Sequence, residues 1–549
     1  MNPIRPIAAS VLMAASLIVS AQQPTRADAE RDPVLKAMLT ELDRNMSDLH
    51  LQDFQKPFFI QYRIEEIDNF GTSAAFGATT GSSRSRERVA RVTVRVGDYK
   101  TDSSGGRGDG VAELAPLDDD PIALRSALWS ATDQAYKAAL AAYAQKQAAL
   151  KQVETPPQAD DFSHEKPIIS LATPLKLNVD EAAWTERVAR ESGLYRTGVD
   201  VKVDQKNVRY SLSSFTARVT TTWLVNSEGA IVRKSASGFE DSFGVGAQAD
   251  DGMRLDRSCA TTGTSLDDLD SDGDFAQRIF RHIASLSDLR KAPLVDEEYH
   301  GPLLLSADAG ADILRSVIGR GVDATRPRLG TEARTNGPFA SSYHARVLPE
   351  FLNVEDNPGM KSYNGKGLVG AYDVDDEGVP AQDVKLVVDG KLENYLIGRE
   401  PVRDFPNSNG HGRAGLAQAP HPSLGVFIVT AKNGFTDEEL NVKLLGLAKD
   451  SGLQSVYYLS TMGGKMAPRL LYRVSLDGKR ELVRGATLDD LDQRALRSGV
   501  VAAGKDLWVD NSFGEVPETV LAPALLLDDI TIRRANEKND KLPFYPPPE

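Results

Sequence analysis

GPLLLSADAGADILRSVIGRGV, residues 301–322, is the stretch from which the rest of the chain is read. It predicts an apolar strand from Pro302 to Leu305, a small-residue turn, and a helix beginning near Ala309. Ile313, Leu314, Val317 and Ile318 recur at helical spacing before the run meets Gly319 and Gly321. Residues five apart on a regular helix point roughly 140° apart, from the 3.6-residue turn. Arg315 and Arg320 therefore address a common site only if the helix ends or bends between them, which Gly319 permits.

Three further segments carry information: GAYDVDDEGVPAQ (370–382), SNGHGR (408–413) and TTWLVNSEGAIV (221–232) with its N-S-E-G tetrapeptide. Together with residues 301–322 they resemble the TldD/PmbA family, the "modulator of gyrase" metallopeptidase-related proteins. In the zinc-bearing members the helix carries H-E-x-x-x-H, and a Cys lies in a Gly-rich turn shortly before a Val-Pro. Here Arg315, Ser316 and Arg320 fill the helix positions, and WVDNSFGE (508–515), before Val516-Pro517, has no Cys. Zinc takes imidazole, thiolate or carboxylate, with a base nearby for its bound water. Arginine offers only donors and stays charged, and serine is a poor base at neutral pH. The expectation is a degenerate site with no metal, no cofactor and no catalytic residue among these positions.

The resemblance implies an α+β protein of two domains, an N-terminal αβ domain and a C-terminal domain rich in antiparallel strands that holds the pocket. The divisions read as 1–21 signal peptide, 22–290 N-terminal domain with a polar linker at 152–167, 291–536 C-terminal domain, and 537–549 loose tail. It also implies a homo- or heterodimer with a TldD/PmbA relative, one subunit bearing zinc and one lacking it, around a chamber for peptide or unfolded protein.

Composition sets outer bounds. The chain has 549 residues, 41% apolar and 26% charged, ordinary for a soluble globular protein with a large core. A net charge of −14 argues against a nucleic-acid-binding surface. The sole cysteine, Cys259, excludes an intramolecular disulfide and a Cys-rich metal site. Residues 1–21 read as an export signal: Arg5, an apolar run from Ile7 to Val19, and Val19-Ser20-Ala21 as the cleavage site. The run is too short to span a bilayer, so no stable membrane anchor is expected and the mature chain is placed in the periplasm or outside the cell.

Along the chain, an amphipathic helix is expected over Ala29–Leu49, then strands at Phe58–Glu65, Gly71–Thr79 and Val89–Val96. Asp120-Pro121 opens an Ala-rich helix reaching Lys151, and another spans Asp180–Ser192. Strands follow at Val199–Val203, Val208–Val219, Thr221–Asn226 and Ala230–Ser235, and a helix at Phe275–Leu286. A hairpin turns at Asp389-Gly390, and a capping box, Thr436 to Glu439, opens a helix ending at Gly452. Leu471–Ser475 and Arg480–Val483 turn at Asp477-Gly478, a short helix is expected near Leu488–Arg497, and Val516-Pro517 leads a closing strand to Ile532.

Several motifs lead nowhere. His164-Glu165 lies in a linker, with Ile168 where a zincin needs its second His. GMKSYNGK (359–366) has five residues between glycines where a phosphate loop has four. SLDDLDSDGD (265–274) starts like a calcium loop, but Ile279 stands where the closing Glu belongs; the acids suit a helix N-terminus. Arg107-Gly108-Asp109 is a tripeptide that arises by chance.

Peptide-binding candidates are Arg315, Arg320, Asp376, Glu377, His411 and Arg413. Arg315 and Arg320 either hold a carboxylate such as a peptide C-terminus, or pair with neighbouring acids and fill the vacated space. Asp376 and Glu377 either meet a peptide amine or cap a local turn. Three functions stand: a non-catalytic subunit that binds peptide or supports a zinc-bearing partner; an active metallopeptidase, with zinc, using ligands among His300, His344, His411, His421 and the 373–377 acids; and a stand-alone peptide- or envelope-binding protein.

Overall fold

The computed structural model describes residues 23–105, 109–154, 157, 159–197, 207–463 and 467–536. The export signal, the strand expected at Val199–Val203, the loose tail and part of the Arg107-Gly108-Asp109 tripeptide lie outside the described residues.

Two large sheets organise the chain. The first half builds α1 (Pro33–Asp48), β1 (Phe59–Ala75), β2 (Ala78–Arg95), β3 (Val111–Leu114), α2 (Pro121–Leu150), β4 (Ile169–Leu171) and α3 (Glu181–Gly193). It continues with β5 (Val208–Asn226), β6 (Ile231–Gln248), β7 (Arg254–Gly263) and α4 (Asp272–Lys291). The seven strands run in the order β3-β2-β1-β5-β6-β4, with β7 also on β6. Helices α1 and α2 start at Asp caps followed by Pro, whose missing N–H costs nothing in a first turn. They cover one face with a core of Leu35, Met38, Ile60, Tyr62, Val92 and Leu128.

Four expected strand boundaries do not exist, the break between Thr79 and Val89 among them, since β2 runs unbroken from Ala78 to Arg95. β1 runs unbroken through Asp68, Asn69 and Gly71, and β5 through Thr220, because each of these residues is paired on both sides in the antiparallel ladder, whose backbone bonds do not depend on an apolar side chain. Arg84 forks onto Asp68 at 2.8 and 3.1 Å across the β1–β2 ladder, which fixes the register there. Gly71–Thr79 is therefore the end of β1, a turn at Phe76-Gly77 and the start of β2. β6 likewise runs on well past Ser235. α4 begins at Asp272, three residues before Phe275, with the Ser271 hydroxyl accepting from the Asp274 N–H. Asp268 turns its oxygens onto the N–H groups of Thr264, Ser265 and Gly367, and Asp270 pairs with Arg278, so the calcium-like acids are spent locally.

The second half holds β8 (Tyr299–Leu305), α5 (Ala307–Val317), β9 (Leu352–Asp356), β10 (Val384–Val388), β11 (Lys391–Leu392), β12 (Val426–Ala431) and α6 (Asp437–Asp450). It closes with β13 (Ser455–Gly463), β14 (Ala467–Ser475), β15 (Arg480–Val483), β16 (Ala486–Leu488), β17 (Val500–Ser512) and β18 (Glu518–Arg534). The eleven strands run β11-β10-β9-β12-β18-β8-β13-β14-β15, with β16 and β17 also on β18. Most pairs are antiparallel; β12–β18 and β8–β13 are parallel. The hydrophobic residues of α5 fill the core against β18, and the Thr436–Glu439 capping box forms as read. Only the second arm of the Asp389-Gly390 hairpin is shorter than expected, and the expected helix at Leu488–Arg497 is a strand end, a turn and a single wide π turn at Ala495–Gly499. No described helix is long and apolar enough to cross a membrane.

Candidate functional site: an interdomain cleft

α5 ends where the sequence expected, and Gly319 opens a single tight turn that carries Arg320. Its Cα is pressed against Leu424, so a side chain there would displace that core residue. Beyond the turn, Arg315 and Arg320 converge on one carboxylate. Glu518 Oε1 lies 3.2 Å from Arg315 Nε and 2.7 Å from Arg320 Nη2. Arg315 also pairs with Asp510 and, at 3.5 Å, with Asp312. Ser316 is exposed on the outer side of the helix. The acid-paired alternative is the one the geometry carries: both guanidinium groups already have carboxylates, and Arg320 is half exposed. This donor set does not fit zinc. Two fixed cations occupy the positions, and no three His, Cys, Asp or Glu side chains converge on a metal-sized point among the described residues.

The histidines proposed as alternative ligands are scattered. His300 bonds Glu298 and Thr531, His344 bonds Glu393, and His421 bonds Ser423. His411 is fully buried, with Nε2 3.3 Å from Asp356 Oδ1 and Nδ1 against Asn409. That is a packing role, beside but not in the cleft.

The 370–382 and 408–413 segments come together under the first sheet. Asp375 accepts from the N–H groups of Glu377, Val379 and Gly412, so this carboxylate shapes the turn. Glu377 is sealed inside, accepting the Arg399 N–H at 2.6 Å and edging a small cavity of about 110 Å³ shared with Arg95 and Arg399. Burial, then the neighbouring Asp375 charge, pushes its pKa up to about 8, and burial raises Asp375 to about 6. Asp376 goes the other way. Burial would raise it, but Lys234, Arg63 and Arg413 outweigh that and hold it at about 2. Its Oδ1 lies 2.6 Å from Lys234 Nζ, and its Oδ2 accepts the Ala414 N–H.

These loops are clasped by the first sheet. Arg63 donates to the carbonyls of Gly415 and Gln418, Gln61 to that of Asp376, Arg91 to that of Ala417, and Lys234 to that of Val374. Arg399, buried against Phe162 at 3.9 Å, returns the clasp to Glu228 and to the Ser163 carbonyl. Glu228 is the acid of the N-S-E-G tetrapeptide. Between the two halves remains a cleft of about 240 Å³, lined by Glu65, Arg218, Lys234, Tyr372, Asp376 and Arg413, with Phe513 closing one side. Phe513 sits against Gly238, where a Cβ would collide with its ring, and Arg218 stacks on that ring at 4.9 Å. A larger hollow of about 840 Å³ lies between α2 and residues 325–334, but three of its cations are spent: Lys146 and Arg326 on Asp161, Arg334 on Asp404. The smaller cleft has the convergent polar groups a binding site needs.

Of the candidates, Asp376 and Arg413 line this cleft; Glu377 and His411 lie beneath it; Arg315 and Arg320 belong to the Glu518 cluster. Arg63, Lys234, Arg218 and Glu518 were not singled out in the sequence. Charged residues on alternating strands read as solvated faces, and only the N-S-E-G tetrapeptide beside Lys234 pointed to this end of the sheet.

Comparison with known proteins agrees with this architecture. Residues 298–534 match the family described as the PmbA/TldA metallopeptidase C-terminal domain. A metalloprotease TldD homolog of Buchnera aphidicola subsp. Schizaphis graminum is 23% identical over 250 residues, 42% of this chain. The match spans 47%, about half, of that curated relative. In fold, the chain is similar to TldE from Thermococcus kodakarensis, with a TM-score of 0.61 at 12% identity, over 90% of this chain and 99% of that one. A protein titled as a modulator of a DNA gyrase from Thermotoga maritima gives 0.57 at 14% identity, over 86% and 96%. Residues 298–534 thus carry the C-terminal domain of the PmbA/TldA metallopeptidase-related family, and the two-sheet α+β fold of the whole chain is similar to that of TldE.

Proposed function

We propose that this chain is a non-catalytic, exported TldD/PmbA-type subunit that binds peptide in the interdomain cleft and supports a zinc-bearing relative in proteolysis. The observation that carries this reading is the Glu518 cluster. Arg315 and Arg320, at the positions that resemble the metal-holding ones, are neutralised by Glu518 and Asp510. A pocket that supplies its own cations has no call for a divalent one. The pairing leaves the cleft, rather than the helix end, as the place where a peptide meets free polar groups.

Metal content of the purified chain tests the first part. The reading expects no stoichiometric zinc and no chelator-sensitive peptide hydrolysis by the chain alone. Zinc at one per chain together with such hydrolysis would overturn it in favour of a working metallopeptidase. Co-purification of a zinc-bearing relative supports the partner role, whereas a chain that binds peptide and captures no relative is a stand-alone binder. Fractionation of expressing cells, with the chain in the periplasm or medium cut after Ala21, tests export.

A further inference from the structure

The cleft contains a buried guanidinium whose one carboxylate neighbour lies beyond hydrogen-bond reach. Arg413 is 8% exposed, yet its buried Nε and Nη1 have no hydrogen-bond acceptor among the described residues. Its nearest carboxylate, Asp376 Oδ2, stands 3.7 Å from Nε, and the other oxygen of that acid is already occupied by Lys234 at 2.6 Å. The guanidinium lies 4.1 Å over the Tyr372 ring, whose hydroxyl is tied to the Gly410 carbonyl. The ring thus fixes the plane of the group and leaves its edge unfilled. Arg218, on β5 and lining the same cleft, has no ion pair among the described residues and stacks on Phe513 instead. By contrast Arg63 donates to two carbonyls, Lys234 is paired, and Arg315 and Arg320 share Glu518.

We infer that Arg413, assisted by Arg218, is the carboxylate-recognition element of the cleft, and that its ligand is an extended peptide presenting a free carboxylate there. The inference rests on the peptide-binding reading above and names its specificity determinant. A buried donor left without an acceptor keeps its full desolvation cost, and a carboxylate recovers that through charge-assisted bonds. The fork geometry of a guanidinium fits two carboxylate oxygens side by side. At about 240 Å³ the cleft is smaller than a drug-sized site of roughly 300–1,000 Å³, so it takes a chain end or a single side chain.

Titration calorimetry on the full mature chain tests this with three N-acetylated hexapeptides of alanine and leucine. The first ends in a free acid, the second in an amide, and the third is the amide with one internal glutamate. The free acid is expected to bind about tenfold or more tightly than the plain amide, a gap worth about 1.4 kcal/mol. Arg413→Gln should abolish that gap and Arg218→Gln narrow it. Recovery of affinity by the glutamate-bearing amide would assign the carboxylate to a side chain instead of the C-terminus, within the same recognition. Equal binding of all three peptides to the wild-type chain overturns the inference and leaves the peptide-binding reading intact. Failure of all three to bind overturns that reading as well. The wild-type comparison decides even if Arg413→Gln does not fold.

Discussion

Arg315 and Arg320 are held by the same oxygen: Glu518 Oε1 lies 3.2 Å from one guanidinium and 2.7 Å from the other. Five residues apart, they meet only because α5 gives way at Gly319 to a tighter turn. A helix end that brings two side chains to one point is kept, and what occupies that point is a carboxylate of the closing strand.

Glu518 is 7% exposed and is the carboxylate that Arg315 and Arg320 share, so neutralising it takes a partner from both guanidinium groups at once and leaves Arg315 to Asp510 and Asp312. Glu518→Gln is expected to cost about 3 kcal/mol, whereas Arg320→Ala, which truncates a half-exposed partner, costs about 1 kcal/mol or less. Urea denaturation of the two variants measures both, and equal losses would show that the cluster is not organised around Glu518.

Asp376 gives acid sensitivity of known sign. Its folded pKa of about 2 lies below the ordinary value of 3.8, so its contribution is present above pH 4 and is lost as pH falls through about 2. The shift corresponds to about 2 kcal/mol. The stability gap between the wild-type chain and Asp376→Asn should therefore shrink from pH 5 to pH 2. A gap that stays constant over that range would contradict the assignment.

Glu377 acts in the opposite direction. Its folded pKa of about 8 is raised from 4.5, so the folded state keeps a proton that the unfolded chain has released. Stability falls as pH rises from about 4.5 to about 8 through this group. Glu377→Gln should flatten that fall and gain on the wild-type chain at pH 8 relative to pH 5. Unfolding curves that move in parallel at the two values would rule it out.

Gly412 touches the Glu377 side chain, so a Cβ there would overlap Oε2, Cδ and Cγ together. Gly412→Ala is expected to cost on the order of 3 kcal/mol through overpacking. Combining it with Glu377→Ala should recover part of the loss, because the clash goes with the side chain. A double variant no better than the sum of the singles would place the strain elsewhere.

Much of the local structure was legible before any coordinates. α5, the Gly319 break, the Asp120-Pro121 start of α2 and the Thr436 capping box are all governed by near neighbours in sequence, whereas the first helix starts at Asp32-Pro33, four residues after the Ala29 that its apolar periodicity indicated. The strand boundaries misled wherever a polar or glycine residue interrupted the apolar alternation, as at Asp68 to Gly71, since a ladder pair fixes such residues and local propensity does not. Arg315 and Arg320 were legible as replacements, but not Glu518 as their shared partner, about 200 residues on in sequence. The cleft was illegible for the same reason: Lys234 and Asp376 lie on different halves of the chain, and Gly238 reads as a strand defect until Phe513 is set against it.

Arg63 leaves the first sheet to grip the carbonyls of Gly415 and Gln418, so the floor of the cleft belongs to neither half alone. Occupancy and the seating of one sheet on the other are thus a single thermodynamic event. Whatever fills the gap clamps the halves together, and whatever pries them apart evicts the guest.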